Sequence, residues 1–441
     1  MKPTALRILV LLAALTLGAA AFAALPPLPA PAPAATGGPS AQPTAPTPGA
    51  ATPAATASAL GSPYVPGVIY PSTVSPAEMD AAVLRLYRQW KAKYIKANPY
   101  ESTQNYVWYS DGDWFTENEA TVSEAHGYGM LLCALMAAYD EQAQPSFDGL
   151  YRYYKAHPSS YHSALMAWQQ ADNGKALVDS NGADSATDGD MDIAYALLLA
   201  DRQWGSAGAI DYRGEALRVI QAIWQGDVNQ SEWTLKLGDW ASDRDVSTRP
   251  SDFMFGHLKA FARATGDDRW HKVADTSYAL LASVYRQYSP DTGLIPDFLI
   301  KKDGEYRPAG PNFLESEYDG SYNYNACRVP WRVSTDYLRS GDDRALAQLT
   351  RLNAWMRQST GLDPANIRAG YRLDGTAIGQ GAPLCFTAPL MVSAMIGPEN
   401  QQWLDRLWAY NMGFDTEQTL YYDNTLRLLC AVVVSGNWLE P

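Results

Sequence analysis

The chain has few basic residues for its length. Of 441 residues, 34 are Lys or Arg and 47 are Asp or Glu, which gives a net charge of −13. Nucleic-acid-binding proteins need a basic footprint, and anionic membranes attract basic surfaces, so this composition disfavours both partners. The acidic balance suits an exported protein, or one whose ligand is neutral or cationic.

Cysteine and histidine are also scarce, with four and five residues. No His/Cys cluster has the spacing of a zinc site, so we expect neither a metal nor another cofactor. Export would permit a disulfide. The cysteines lie in apolar helical contexts without a C-x-x-C pair, and we therefore expect mostly buried free thiols at Cys133, Cys327, Cys385 and Cys430.

The first part of the chain carries almost no charge: none lies between Arg7 and Glu78. Lys2 and Arg7 precede an apolar run over residues 8–20, and an A-x-A cleavage pattern ends at Ala23. These features predict a signal peptide over residues 1–23. The run is short for a membrane span. A retained anchor is the alternative to a secreted protein, extracellular or periplasmic, that is free of the membrane after cleavage.

Residues 24–64 consist almost entirely of Pro, Ala, Thr, Gly and Ser, and they hold 11 of the 29 prolines. This segment has too little apolar surface to fold, and its composition predicts a disordered, extended linker. We therefore expect one folded domain over residues 65–441.

Helical periodicity dominates that domain, and strand signals are few. Ser75 and Glu78 form a capping box, with Pro76 at the first helical position, before apolar residues at helical spacing. About eleven or twelve helices are predicted, with further runs over residues 124–139, 190–204, 214–224, 252–264, 270–288, 330–338, 344–357, 387–396, 401–410 and 416–434.

Glycines follow three of these runs, at Gly266, Gly341 and Gly436. Each is placed to end a helix as its C′ residue before a new helix begins. Repeated helical hairpins are typical of a toroid or a solenoid, and the helix runs alone do not distinguish the two.

The first segment with a chemical signature is SEAHGYGM, residues 123–130. Gly127 and Gly129 each cost about 1 kcal/mol relative to Ala within a helix, which indicates close approach by another backbone or a ligand. Glu124 lies beside that gap. The alternative is that Glu124 merely stabilises the helix N-terminus.

The second segment, DSATDGDMD, places four carboxylates in nine residues just before an apolar helix. Calcium binding is one interpretation, although the terminal Glu of an EF-hand is missing. Capping by Thr187 and Asp190 is another. Mutual repulsion and burial separate the pKa values of crowded carboxylates, so an active site is the third. The carboxylates are those of Asp184, Asp188, Asp190 and Asp192.

The third segment, residues 311–332, is a long loop rich in rings, acids and arginines that leads into a helix. It could be a solvated acidic loop that caps this helix. That interpretation is disfavoured by the two arginines and the tryptophan that lie close to the acids in the sequence, Arg328, Trp331 and Arg332.

Together the three segments resemble glycoside hydrolase family 8. Residues 123–132 resemble its general-acid motif, residues 186–204 fit its signature at every constrained position, and residues 325–332 resemble its third block. The resemblance covers residues 75–438. It implies an all-α fold, a single (α/α)6 toroid of six inner and six outer helices, and hydrolysis of β-1,4-linked polysaccharides with inversion.

The resemblance also implies roles for individual residues. Glu124 matches the general acid, and Asp188 matches the aspartate that binds and distorts the sugar at the cleavage point. Many members carry Asp at the position of Asn325, whose amide cannot act as a base. In the branch with Asn, a Glu on the preceding loop is the base, and Glu315 is the candidate. Glu317 and then Asp319 are the alternatives.

Substrate contacts follow from the same comparison of motifs. Asn325 is expected to position the attacking water or a sugar, and Arg328 to hold the base or a nearby carboxylate. The chain has 14 Trp, 27 Tyr and 10 Phe, which suits a groove that stacks sugar rings. The aromatic candidates are Trp168 and Trp240 and, with weaker support, Tyr128, Tyr324 and Tyr422. Asp252 either contacts a glucosamine ammonium or caps a helix.

The leading hypothesis is a secreted, monomeric endo-β-1,4-glucanase acting on cellulose-like chains. Chitosanase, mixed-linkage β-glucanase and xylanase are alternatives with the same mechanism. A glycan-binding protein on a decayed hydrolase fold is a second class, against which the three acidic residues argue. A helical scaffold for proteins is a third, and it would not need the carboxylate motifs.

Overall fold

The computed structural model describes residues 64–113, 115–116 and 118–441. The predicted signal peptide, and the predicted linker up to residue 63, lie outside these residues. Tyr64 is buried, and its hydroxyl donates a hydrogen bond of 2.6 Å to the carbonyl of Val433. Tyr64, which was predicted to be the last residue of the linker, therefore packs with the folded body.

Twelve α-helices form from the described residues. Their bounds are α1 Pro76–Tyr94, α2 Ser123–Leu135, α3 Ala143–Ala156, α4 Thr187–Trp204, α5 Tyr212–Gly226, α6 Phe255–Thr265, α7 Arg269–Tyr288, α8 Val329–Ser340, α9 Leu346–Thr360, α10 Leu384–Ala394, α11 Gln401–Met412 and α12 Tyr421–Val434.

The even-numbered helices close into an inner ring. Helix α2 packs on α4, α4 on α6, α6 on α8, α8 on α10, α10 on α12, and α12 returns to α2. Each odd-numbered helix packs outside an inner one: α1 on α12, α3 on α2, α5 on α4, α7 on α6, α9 on α8 and α11 on α10. The predicted all-α (α/α)6 toroid, with six inner and six outer helices, is confirmed.

Apolar patterning explains which helices lie inside. In α2 every residue except Glu124 is buried, and α10 is buried throughout. The outer helix α1 buries only one stripe, and Ser75 and Glu78 form the predicted capping box at its start. A helix that is apolar all round must be enclosed, whereas an amphipathic helix needs cover on one face only.

Helices α2 and α4 approach each other through glycine. A Cβ added at Gly127 would lie 2.8 Å from the Cβ of Asp192, and one added at Gly189 would lie 2.6 Å from the carbonyl carbon of Ser123. The close approach predicted at Gly127 is confirmed, and the neighbour is the backbone of α4. This contact sets the spacing between the first turns of the two helices.

Most of the predicted helices are present, with some differences at their ends. The predicted C′ glycines Gly266 and Gly341 adopt the left-handed conformation, with φ of 70° and 73°. Helix α3 was not predicted, because Pro145 and Gly149 interrupt its sequence. The run that was predicted from residue 252 starts at Phe255, after a 3-10 turn over Pro250–Asp252.

Within the part of the chain that the structure describes, ten short strands form small antiparallel sheets, ordered β1–β2, β3–β4–β5, β6–β7 and β8–β9–β10. Strands of two to four residues carry too little alternation to be predicted. They are β1 Ile95–Ala97, β2 Asn105–Val107, β3 Glu119–Val122, β4 Gln169–Asp172, β5 Leu177–Asp179, β6 Val228–Asn229, β7 Thr234–Leu235, β8 Ser247–Thr248, β9 Leu299–Lys302 and β10 Glu305–Pro308.

All four cysteines lie in the described part of the chain, where each is buried and none is in a disulfide. Among the described helices, none is both long and apolar enough to cross a membrane.

Candidate active site

An open groove of about 290 Å³ lies at the end of the toroid where the inner helices begin. Its lining comes from the first residues of α2, α4 and α12 and from the segments just before α6 and α8. Five carboxyl groups line it: those of Glu124, Asp188 and Glu315, together with Asp111 and Asp184. The predicted motifs, which are far apart in sequence, therefore meet in one groove.

Glu124 lies in the first turn of α2, and its side chain is 23% exposed on an otherwise buried helix. Its Oε2 lies 3.2 Å from Nη1 of Arg328. Burial raises the pKa of Glu124 above its usual range; Arg328 opposes this rise, and the Asp188 carboxylate adds to it. This environment favours a carboxyl group that keeps its proton to a higher pH than usual.

Asp188 lies in the first turn of α4, between two guanidinium groups. Its Oδ2 accepts a hydrogen bond of 2.8 Å from Arg328, and its Oδ1 lies 2.9 Å from Nη2 of Arg249. Burial disfavours its charged form, but Arg249 and Arg328 outweigh burial and lower the pKa of Asp188 to about 2. Asp188 is therefore ionised at neutral and mildly acidic pH.

Glu315 lies on the loop between β10 and α8. Its Oε2 accepts a hydrogen bond of 2.7 Å from Nδ2 of Asn325. Burial raises the pKa of Glu315 to about 7, although Arg249 and the Asn325 amide favour the ionised form. A carboxyl group with a pKa near neutrality suits proton transfer at neutral pH.

The two alternatives to Glu315 have different surroundings. Glu317 is exposed and is not part of the groove lining. Asp319 is buried, and its oxygens accept hydrogen bonds from the backbone amides of Leu314, Glu315 and Ser316. Asp319 therefore orders the loop that carries Glu315 and leaves no oxygen directed at the groove.

Asn325 connects the loop to the arginines. Its Oδ1 accepts hydrogen bonds of 2.9 Å from Arg328 and 3.4 Å from Arg249, while its Nδ2 donates to Glu315. The two guanidinium groups fix the amide orientation, since only the oxygen can face them. A carboxylate at this position would face Glu315 without a hydrogen to donate.

Sequence reasoning missed Arg249, which precedes the Pro250–Asp252 turn and lines the groove. It also misassigned Asp252. This carboxyl group is fully buried, and both of its oxygens lie 3.0 Å from Nε of Arg249. Asp252 neither faces a ligand nor caps α6, whose N-cap is Met254. No local motif identifies the pair, because Arg249 acts on residues distant in sequence.

Four of the five predicted aromatic contacts line the groove: Trp168, Trp240, Tyr324 and Tyr422. Other rings on the wall were not predicted, namely Tyr109, Phe115, Phe298 and Tyr421. Sugar rings present flat apolar faces, and these aromatic side chains offer matching surfaces.

Two of the predicted substrate-site residues, Tyr128 and Arg328, lie behind the groove. The expected contact of the Tyr128 ring with a sugar is corrected, whereas Arg328 holds nearby carboxylates as predicted. Tyr128 is fully buried, its ring packs against Trp331, and its hydroxyl lies 3.4 Å from Nη1 of Arg328. Arg328 is only 1% exposed and donates to Asp188, Asn325 and Ser251. Both side chains support the residues of the groove wall and do not reach its surface.

The aspartates that suggested calcium have other partners. Thr187 donates to the Lys236 carbonyl, Asp190 accepts from the amide of Met166, and Asp192 pairs with Arg332. Within the described residues, no group of His, Cys, Asp and Glu side chains is arranged to hold a metal ion. Helix α4 starts at Thr187 with Ala186 as its N-cap, so the predicted capping box is absent.

The groove lies at one end of a double ring of helices. Its aromatic walls and its carboxyl groups of contrasting pKa are typical of a glycoside hydrolase. The sequence model of Glycosyl hydrolases family 8 matches residues 72–436. The chain belongs to this family and is an enzyme.

Individual relatives agree with this assignment. The chain is 50% identical to a protein named Beta-glucanase from Niallia circulans, over 85% of this chain and 89% of the relative. It is 38% identical to an Endoglucanase from Bacillus sp. (strain KSM-330), over 85% of this chain and 80% of the relative. The solved structure of a Beta-1,3-1,4-glucanase from Paenibacillus sp.X4 is 49% identical, with a TM-score of 0.82, and covers 86% of this chain and 97% of the other.

Proposed function

We propose that the protein is a secreted, inverting endo-β-glucanase that cleaves β-1,4 bonds in a neutral glucan. The observation that carries this proposal is the groove itself, in which Glu124, Asp188 and Glu315 lie together between aromatic walls. The groove is open rather than a closed pocket, which suits attack within a long chain.

In this mechanism Glu124 is the general acid that protonates the leaving oxygen. Its raised pKa supports that role, because an acid must hold its proton near neutral pH. Asp188 stays ionised and binds the sugar at the cleavage point, where it also stabilises developing positive charge on the ring. Arg328 contacts both carboxyl groups and keeps them in register.

Glu315 is the general base that activates a water on the opposite face of the sugar. Its pKa of about 7 supports this role, since a base near neutrality combines ionisation with basicity. The exposed position of Glu317 and the bound oxygens of Asp319 favour Glu315 over both alternatives. Asn325 orients the Glu315 carboxylate by donating to it.

Mixed-linkage β-1,3-1,4-glucan is our first choice of substrate, ahead of cellulose-like chains. Two relatives near 50% identity are named Beta-glucanase and Beta-1,3-1,4-glucanase, whereas the one named Endoglucanase is 38% identical. Chitosan moves down the order, because Asp252 is paired with Arg249 and is not available to an ammonium group. In this proposal the enzyme cleaves β-1,4 bonds in mixed-linkage glucan and in cellulose-like chains alike.

The domain organisation is part of the same proposal. Residues 1–23 direct export, residues 24–63 form a linker, and the catalytic domain acts as a monomer without nucleic acid, membrane or cofactor. Mass spectrometry of protein recovered outside the expressing cell should give a mature N-terminus near residue 24. An N-terminus at Met1 in membrane fractions would contradict the export proposal.

The deciding experiment is a reducing-end assay on lichenan, carboxymethylcellulose, chitosan and xylan, with Glu124→Gln and Glu315→Gln beside the wild type. We expect the highest activity on lichenan and its loss in both variants. Proton NMR of the first products should show the α-anomer, since inversion converts a β linkage. Glu317→Gln is the matched control and should stay active.

Three outcomes would contradict parts of the proposal. Activity in Glu315→Gln, with loss in Glu317→Gln, would move the base to Glu317. A β-anomeric product would require a retaining mechanism. A wild type that binds glucans without producing reducing ends would be a glycan-binding protein.

A further inference from the structure

Arg249 and Asp252 make a second set of contacts beneath the groove. Nη2 of Arg249 forms an ion pair with Asp188 at 2.9 Å without hydrogen-bond geometry, while Nη1 donates to Asn325 at 3.4 Å and Nε donates to Asp252 at 3.0 Å. Through Asn325 this network reaches Glu315. One guanidinium group thus connects the sugar-binding carboxylate with the side chain that holds the base.

We propose that Arg249 and Asp252 are positioning residues, which hold Asp188 and, through Asn325, Glu315 in one fixed arrangement. The inference rests on the proposed function, because it takes Glu315 as the base and Asp188 as the sugar-binding carboxylate. It adds Arg249, which no sequence motif identified, and it gives Asp252 a role that neither sequence-based alternative included.

The role of Asp252 is to fix the orientation of the guanidinium plane. Both of its oxygens lie 3.0 Å from Nε of Arg249, and Ser251 Oγ lies 3.3 Å from Oδ1. Asp252 is fully buried and does not line the groove, so it cannot touch a glucan. Any effect of Asp252 on catalysis must therefore be indirect, chiefly through Arg249 and secondarily through Ser251, which also accepts a hydrogen bond from Arg328.

The backbone around this pair is held in place. Strand β8 pairs with β9, with Ser247 opposite Ile300 and Thr248 opposite Leu299, and Arg249 follows directly. A 3-10 turn over Pro250–Asp252 then returns the Asp252 carboxyl group to Arg249. A guanidinium anchored in this way keeps its donors aimed before substrate arrives, and such preorganisation lowers the reorganisation needed during the reaction.

The pair also acts on the charge of the base. Glu315 is faced by Arg249 from the turn after β8, by Arg328 from the start of α8, by Asp319 from its own loop and by Asp297 from the segment before β9. Loss of the Arg249 cation disfavours the ionised form of Glu315, so the acid limb of the pH profile should move to higher pH. Loss of the Asp252 charge strengthens the effect of Arg249 on Glu315 and should move the acid limb to lower pH.

The test measures kcat and KM on lichenan from about pH 5 to about pH 9 for the wild type, Arg249→Lys, Arg249→Met and Asp252→Asn. Asp336→Asn is the matched control, because Asp336 is equally buried and pairs with Lys259 at 2.6 Å away from the groove. Melting temperatures are recorded for every variant. We expect Asp252→Asn to lower kcat by roughly 10- to 100-fold, as for a small displacement of catalytic groups, with KM little changed.

Arg249→Lys should keep more activity than Arg249→Met, and the acid limb should shift in opposite directions in Arg249→Met and Asp252→Asn. Asp336→Asn should lose thermal stability and keep both kcat and the wild-type pH profile. An Asp252→Asn protein that resembles Asp336→Asn in these readouts overturns the inference, as does a rise in KM with unchanged kcat. A wild type inactive on all glucans would instead overturn the proposed function.

Discussion

Two acid–arginine pairs join helices α4 and α8 at successive turns, and they behave differently. The groove pair is Asp188 with Arg328; the deep pair, one turn further from the groove, is Asp192 with Arg332. The two aspartates are four residues apart, and so are the two arginines, of which Arg328 is the N-cap residue of α8. The same residue types on the same helices therefore allow a comparison in which depth is the main variable.

The members of the deep pair bind mainly each other. Both oxygens of Asp192 accept from Arg332, at 3.0 and 2.5 Å, and His257 contacts the same carboxylate at 2.9 Å. The guanidinium of Arg332 also lies 3.9 Å from the ring centre of Trp331. Although burial opposes ionisation, Arg332 and His257 lower the pKa of Asp192.

The groove pair is spread over the site. Arg328 uses one nitrogen for Asp188 and Glu124 and the other for Ser251 and Asn325. Its partner Asp188 also forms an ion pair with Arg249. The comparison teaches that an ion pair becomes part of an active site when its hydrogen bonds extend to several reacting groups, whereas a closed bidentate pair holds two helices together.

The largest expected effect comes from breaking the deep pair. Asp192→Asn leaves Arg332 buried without an anion, and we expect a loss of about 3–5 kcal/mol in the free energy of unfolding. Urea denaturation measures it. The double variant Asp192→Leu with Arg332→Met should recover much of the loss. A single variant as stable as the wild type would show that the deep pair has no structural role.

Breaking the groove pair should affect catalysis instead. Asp188→Asn is expected to lower kcat by about 10²–10³-fold, because a preorganised charge at the cleavage point is lost. Its unfolding free energy should change less than that of Asp192→Asn, since Arg328 keeps Glu124 and Asn325 as partners. Lichenan kinetics and urea denaturation on the same preparation give both values. Equal destabilisation of the two variants would erase the distinction between the pairs.

Adding a methyl group at Gly189, next to Asp188 on α4, tests the comparison further. Gly189→Ala forces α4 away from Ser123 on α2, and we expect a loss of about 1–3 kcal/mol in stability with a fall in kcat. Gly256→Ala in α6 is the control, because no atom lies within 4 Å of its added Cβ. If both variants are equally stable and active, the close approach of α2 and α4 does not set the site geometry.

The smallest expected effect is the response of the groove to pH. With a base of pKa about 7, kcat/KM should rise about tenfold per pH unit between roughly pH 5 and 6, and it should fall again at higher pH as the general acid Glu124 loses its proton. The pKa of Asp188, about 2, keeps it ionised throughout. An acid limb below about pH 5, where an exposed carboxyl such as that of Glu317 titrates, would point to a different base.

Local sequence patterns predicted those features of the fold and site that depend on residues close together in the chain. Apolar periodicity and C′ glycines predicted the repeated helical hairpins, whereas their closure into a ring followed only from the family resemblance. The segments around Glu124 and Asp188 stood out because they combine glycines or crowded acids with apolar helices. Glu315 required the family resemblance, since an acid on a loop has no local signature. Its assignment as the base, like the other roles, stays a prediction until the variants are measured.

Sequence patterns alone did not predict contacts between residues that are far apart in the chain. Arg249 contacts Asn325, which is 76 positions away, and Arg328 contacts Asp188, which is 140 positions away. Tyr128 was expected on the groove because aromatic rings suit sugars, but its position on a helix buried on all sides placed it in the core. Only the closed ring decides which side of an inner helix meets the groove.

Closure of the ring has a consequence for the order of the chain. The last helix packs on the first two, and Tyr64 donates to the carbonyl of Val433, so the two ends of the folded body meet. The connection over residues 205–209 is largely exposed, and it follows the end of α4 that is remote from the groove. A circular permutant opened there and joined at the natural ends would keep every helix neighbour, because packing rather than covalent succession defines this architecture.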